Sequence, residues 1–203
     1  MLQNNLKYYW GLPDTSVSFC EKKYDNIYWI AEYNNTISAI PYVLVGIIFL
    51  FTKIKKIGFC MILLGFSTML MHGTLRNYAQ LLDESTLLII SFETLKLLDK
   101  RFKYIFLAPA IAIYIMLNEN FFIFLSTFIG MQITIVYKVY YKEKSFPQRI
   151  LSSLYVFFFI LAAIFWYIDQ TFCKYIGNKP FHALWHINTC IAMFYGYANL
   201  IID

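Results

Sequence analysis

The chain has 203 residues, of which 60% are hydrophobic, 20% aromatic and only 14% charged. Soluble domains run at roughly 45–50% apolar and about 25% charged, so a soluble globe of this composition would lack a polar coat. Eight glycines and five prolines exclude collagen-like and disordered chains, and a net charge of +5 is too modest for a nucleic-acid footprint and reads as loop asymmetry. What remains is an all-α integral membrane protein, with about 20 apolar residues per span.

Residues 1–33 are polar and aromatic, with acids and lysines mixed. No charged start precedes an apolar run, so no cleavable signal peptide is expected. The first charge-free stretch is 33–52, with its apolar heart at 37–51, and Lys53, Lys55 and Lys56 close it. The second is 57–75, closed by Arg76. The third, 81–98, is the least clean, because it carries Asp83, Glu84, Glu93 and Lys96. A short fourth stretch, 104–117, is separated by Asn118, Glu119 and Asn120 from a fifth at 121–141. Pro147 and Arg149 precede the sixth, 150–168, and the seventh is 181–202. The runs are too long and continuous for barrel strands, so helices are expected. The predicted architecture is a seven-transmembrane helix bundle over residues 34–203, preceded by a luminal segment, 1–33.

Charge sets the orientation. Eleven of the 17 basic residues lie in the loops after spans one, three and five or in the last turns leading into them. The other side holds Lys7, Lys22, Lys23, Arg76, Lys174 and Lys179. The positive-inside rule places the N-terminus outside or in a lumen and the C-terminus in the cytosol.

The three histidines, His72, His182 and His186, all fall within spans, near the outer end of the second and the outer start of the seventh. Topology therefore brings them to one depth. His182 and His186 are four apart and share a helix face. Three protein ligands plus a water is the pattern of catalytic zinc, which supplies a hydroxide at neutral pH. The alternatives are that each histidine merely hydrogen-bonds a neighbouring helix, or that two of them ligate haem, a flat ring that suits an i, i+4 pair less well than a compact ion does. Asp83 starts the third span at the same depth, and an acid there is costly and usually functional. It is expected to orient a water and take its proton, the alternative being a helix N-cap. Glu84 is read as structural. Thr68, four residues before His72, offers a hydroxyl to an oxyanion or back-bonds to its own turn. Ser67 is expected on a different face.

These residues sit within longer motifs. Trp10-Gly11, Cys20-Glu21, Tyr24, the run from Tyr28-Trp29-Ile30-Ala31-Glu32 through Tyr33-Asn34-Asn35-Thr36-Ile37-Ser38, His72-Gly73-Thr74-Leu75, Gln80-Leu81-Leu82-Asp83-Glu84, Trp166-Tyr167-Ile168-Asp169 with Phe172-Cys173, and Phe181-His182-Ala183-Leu184-Trp185-His186 together resemble the alkaline ceramidase family. The zinc histidines are shared with a wider superfamily that includes the progestin and adiponectin receptors. The resemblance implies a seven-helix intramembrane amidase in an endoplasmic reticulum or Golgi membrane, cleaving ceramides to sphingoid base and fatty acid. By motif match His72, His182 and His186 would hold Zn2+, Asp83 would be the catalytic acid, and Thr68 stands where the family usually has Ser. A non-catalytic receptor or scaffold that keeps a structural zinc is the alternative.

Many family members also bind calcium near the N-terminus, through an Asp, a Trp carbonyl, two Glu and an Asn. Here Glu21 and Glu32 match, while the other positions hold Ser18, Phe19 and Lys23. A hard cation wants six or more oxygens. Ca2+ is therefore doubtful, and Lys23 is expected to replace it by pairing with Glu21 and Glu32. The alternative has Lys23 snorkelling to the surface.

Of the four cysteines, Cys60 and Cys190 lie within spans and read as packing residues. Cys20 and Cys173 fall on the luminal side, where a disulfide is permitted. Such a bridge would clamp the N-terminal segment onto the loop between spans six and seven, and the alternative is two thiols. Asn34-Asn35-Thr36 is a glycosylation sequon, expected to go unused because it abuts the first span.

Overall fold

The computed structural model describes residues 8–103, 112, 114, 116, 120–141 and 145–202. The elements within them are all helical. In chain order they are α1 (Tyr33–Ile37), α2 (Ile40–Leu50), α3 (Lys55–Thr74), α4 (Asn77–Leu98), α5 (Phe121–Tyr141), α6 (Phe146–Ile176) and α7 (Phe181–Ile202). Four stretches are long and apolar enough to cross a membrane: Tyr33–Leu50, Lys55–Thr74, Phe121–Tyr141 and Phe146–Ile176. The chain is a membrane protein.

Several boundaries depart from the sequence expectation. The first stretch is two helices, because α1 ends at Ser38 and α2 restarts with Pro41 in its first turn, where the missing N–H costs nothing. The sixth runs from Phe146 to Ile176, longer at both ends than its apolar core. A reciprocal Ser145–Gln148 capping box starts it. Its polar last turns continue past the apolar run, with a break in helical geometry at Phe172. The third begins at Asn77, so Asp83 and Glu84 lie beyond its first turn and do not cap it. The fourth expected span, 104–117, lies outside the described residues apart from 112, 114 and 116.

Polarity is arranged inside out. Ile47, Phe51, Phe59, Phe66, Ile133 and Phe157 are exposed, while Gln80, Asp83, Glu84, His72, His186 and Asn199 are buried. Lipid-facing hydrophobic surface with polar groups turned to the bundle interior is the membrane solution.

Helices α2 and α3 pack through glycines. A Cβ on Gly58 would lie 2.6 Å from the Leu50 nitrogen and 2.7 Å from the Gly46 carbonyl oxygen, and one on Gly65 would lie 2.6 Å from Val43 Cγ2. Only glycine permits backbones this close, which is how apolar helices gain packing in a membrane. Leu75 closes α3 in the left-handed region (φ 53°), its N–H bonded to the Met71 carbonyl at 2.7 Å. That tight turn sets the end of α3, with His72, against the start of α4, with Asp83. At the far end of the bundle Asp99 binds Arg101 at 2.8 Å and Lys138 at 2.7 Å, tying α4 to α5. Hydrogen bonds from Arg101, then Lys138, hold the Asp99 carboxyl well below the usual carboxylate range.

The glycine contact makes a paired prediction. Gly58→Ala should destabilise the detergent-solubilised protein by about 1–2 kcal/mol, because overpacking outweighs the gain in helix propensity. Gly130→Ala, where a Cβ meets nothing within 4 Å, should leave the melting temperature unchanged or raise it.

Candidate metal centre

His72 comes from the last turn of α3, and His182 and His186 from the first turns of α7. All three are buried, and each offers a ring nitrogen within 4.8 Å of the others'. The ring centroids are 4.5–5.0 Å apart.

Second partners fix two of the rings. His72 Nδ1 donates to Glu32 Oε2 at 2.6 Å. His186 Nδ1 lies 3.2 Å from the Asn35 carbonyl oxygen and 2.8 Å from Ser38 Oγ. The Ser38 hydroxyl donates to that same carbonyl at 2.9 Å, so the His186 Nδ1 carries the proton. In both rings Nε2 is thereby left with a lone pair. His182 Nδ1 is buried without a hydrogen-bond partner, a costly state for an imidazole nitrogen. Three clustered imidazoles, two of them oriented from behind, could serve as the donor set of a three-histidine metal site with its outer partners in place. The residues fit a transition metal such as zinc.

Glu32 is the hub of the outer layer, with no exposed surface. Its Oε2 also accepts Asn35 Nδ2 at 3.0 Å, and its Oε1 meets the Lys23 ammonium. Burial alone would raise the Glu32 carboxyl, but His72 and then Lys23 turn the balance and hold it below its ordinary value.

Asp83 lies across from the imidazoles. Thr68 donates to its Oδ1 at 2.5 Å, and Ser67 donates to the same oxygen at 3.2 Å. Ser67 therefore reaches Asp83 despite the different face expected of it, because Asp83 sits on α4 between the two directions. Thr68, expected as an oxyanion donor, has its proton engaged by Asp83. Glu84 accepts Gln80 Nε2 at 2.8 Å and the Tyr114 hydroxyl. Gln80 in turn holds Ser16 of the N-terminal segment, at 2.7 and 2.8 Å.

These groups form one end of a cavity of about 580 Å³, lined there by Thr68, His72, Asp83, Glu84, His182 and His186. The rest is apolar. It follows α5 from Phe121 through Phe128 and Val136 to Tyr141, with Phe159 and Trp166 of α6 opposite. At 1.5 Å per residue that is a slot about 30 Å long.

The N-terminal segment covers the cluster. The Phe19 ring stacks 3.9 Å from the His182 ring and 4.9 Å from the His72 ring, centroid to centroid. Cys20 and Cys173 form the expected disulfide, with Cα atoms 5.3 Å apart. Because α6 is longer than expected, the bridge clamps the segment to a helix end, not to a loop. Asp169 of α6 accepts the Cys20 N–H at 3.2 Å. Glu21 and Lys23 are not paired, contrary to expectation: the Glu21 carboxylate accepts Asn34 N at 2.6 Å, Asn34 Nδ2 at 2.9 Å and Asn35 N at 2.8 Å, capping α1. Asn34, the sequon residue, is thus engaged through its own amide. Ser18 is exposed, and its carbonyl oxygen takes Gln170 Nε2 at 3.3 Å.

Sequence reading missed Ser38, Asn35 and Asp169 as supports of the cluster. All three stand in the quoted motifs, and a polar residue buried at a helix end is the signal they carried.

The backing of His186 should show in metal retention. Ser38→Ala is expected to weaken it about 10-fold or more, and His186→Ala to abolish it. Elemental analysis of purified protein under chelator competition checks both.

The family model described as Ceramidase matches residues 11–202. The chain is 25% identical over 210 residues to the alkaline ceramidase of Arabidopsis thaliana, covering 92% of this chain and 82% of that protein. It is 25% identical over 219 residues to alkaline ceramidase 3 of Mus musculus, covering 90% and 81%. With the match running from the N-terminal segment through all of the histidine cluster, the chain belongs to the ceramidase family of amide hydrolases.

Proposed function

We propose that the protein is a zinc-dependent intramembrane hydrolase that cleaves ceramides to a sphingoid base and a free fatty acid. The observation that carries this reading is the placement of three clustered imidazoles and Asp83 at one end of a long apolar cavity. Zinc held by His72, His182 and His186 would polarise an amide carbonyl and lower the pKa of a bound water to about 7.

The protein's own groups do the rest. The apolar slot along α5 binds hydrocarbon chain and excludes water from the reacting end. Glu32 fixes the His72 ring, and Ser38 with Asn35 fixes the His186 ring. Thr68 and Ser67 hold Asp83 through Oδ1. Asp83 takes a proton from the attacking water and returns it to the amide nitrogen as the C–N bond breaks, so the amine leaves neutral. Once Asp83 is protonated, the Thr68 hydroxyl is released toward the oxyanion on the former carbonyl.

We place the catalytic end at the luminal face of a seven-span bundle, in which α4 and α7 also span. The segment 1–33 is luminal, residues 34–203 form the bundle domain, and the C-terminus is cytosolic. The basic loops support this orientation. So does the Cys20–Cys173 bridge, since disulfides belong to oxidising compartments such as the endoplasmic reticulum and Golgi lumen.

Purified protein in detergent, offered a panel of fluorescent N-acyl sphingoids, should release fatty acid, and a zinc chelator should stop it. Asp83→Asn should lower kcat about 10²–10⁴-fold with zinc still bound. Zinc retained at one per chain with no hydrolysis of any substrate in the panel would overturn the reading.

A further inference from the structure

Glu32 is a carboxylate with no exposed surface, and it orients a histidine of the metal centre. A buried carboxylate without a partner charge is strongly destabilising. Here the partner is part of the chain. Lys23 Nζ meets Glu32 Oε1 and donates to the Phe19 carbonyl oxygen at 2.8 Å. The lysine side chain is 26% exposed, and its ammonium turns inward, not out to the surface.

The calcium ion that the family resemblance implies does not fit these residues. The Phe19 carbonyl and one oxygen of Glu32 already surround an ammonium. Both oxygens of Glu21 are taken by the amides of Asn34 and Asn35. Ser18 brings no carboxylate and is exposed. A divalent cation needs six to eight oxygens, and it would have to share this space with a positive charge.

We infer that Lys23 is a built-in cation that replaces a divalent ion: it positions Glu32, and through it the His72 ring, and so frees the protein from calcium. A free ion occupies its site only in proportion to its concentration. A lysine tethered within the same loop is always present. That loop is itself fixed, by the Cys20–Cys173 bridge, by the Cys20 N–H to Asp169 and by Phe19 stacking on His182. The cation therefore reaches Glu32 from a rigid base.

The inference rests on the metal centre proposed above. Its test reads melting temperature and metal retention as well as fatty-acid release, in calcium-stripped buffer and then across micromolar to millimolar calcium. The wild-type protein should be indifferent to calcium in all three. Lys23→Met should lose metal affinity and rate by about 10-fold or more, with no recovery in calcium. Ser18→Asp combined with Lys23→Asn restores a carboxylate and an amide. It should behave like Lys23→Met without calcium and recover as calcium is added. Three results would each overturn the inference: a wild-type protein that calcium stabilises or activates, a folded Lys23→Met protein with wild-type metal retention, or a double variant as competent without calcium as the wild type. Calcium-indifferent, Lys23-dependent metal retention in a protein that hydrolyses no ceramide would sink the functional reading and leave this one standing.

Discussion

A single carboxylate, Glu32, joins the two halves of the histidine end of the bundle. One oxygen faces the Lys23 ammonium and the other faces His72 and Asn35. Withdrawing such a group from water is tolerable only when both oxygens are met by charge or by N–H donors. The segment that carries Lys23, Phe19 and Cys20 must therefore lie where it does for the histidine to be oriented at all. The N-terminal polar segment is accordingly a working part of the bundle. It supplies the outer contacts of the metal centre, a lid of one aromatic ring and, through Ser16, a tie to Gln80.

The bilayer imposes the complementary constraint. Apolar residues face outward, so helix association relies on close packing and on polar contacts inside. The Gly46–Gly58–Gly65 contact brings α2 and α3 together, which fixes α1, at the head of the same stretch, beside the end of α3. The Ala31 and Glu32 N–H groups reach the carbonyls of Gly73 and His72 at 2.9 and 3.0 Å. Packing at mid-bundle thus positions Glu32, Asn35 and Ser38 behind the imidazoles. The slot along α5 is what remains when α4, α6 and α7 enclose it with large side chains on one side and the histidines at one end.

Much of this was legible in the chain. Apolar runs marked the helices, four stretches among the described residues being long and apolar enough to cross a membrane, because length and continuity are set by bilayer thickness. The histidines converge, as their places in the apolar runs suggested, because the end of α3 and the start of α7 lie together. Cys20 and Cys173 meet between the N-terminal segment and the last turns of α6. What was not legible depended on register and side-chain reach. The break between α1 and α2 lies inside a continuous apolar run, marked only by Pro41. The length of α6 was hidden because its last turns, with Asp169 and Lys174, are polar. Ser67 was placed by helical angle alone, while the position of Asp83 on a neighbouring helix decided its contact. Glu21 read as a cation ligand by its place in a motif, yet three N–H donors of Asn34 and Asn35 lie within its reach.

The histidine end is also the part of the molecule that closes last in synthesis. The bridge spans 153 residues of sequence, and two of the three imidazoles arrive only with α7. A chain emerging from the ribosome in order makes Glu32 with its partners Lys23, Asn35 and His72 early, but His72 long before His182 and His186, and Cys20 long before Cys173. The three-histidine cluster is therefore complete only once α7 has been made. A product stalled before α7 would already hold both cysteines of the bridge but only one of the three imidazoles, His72.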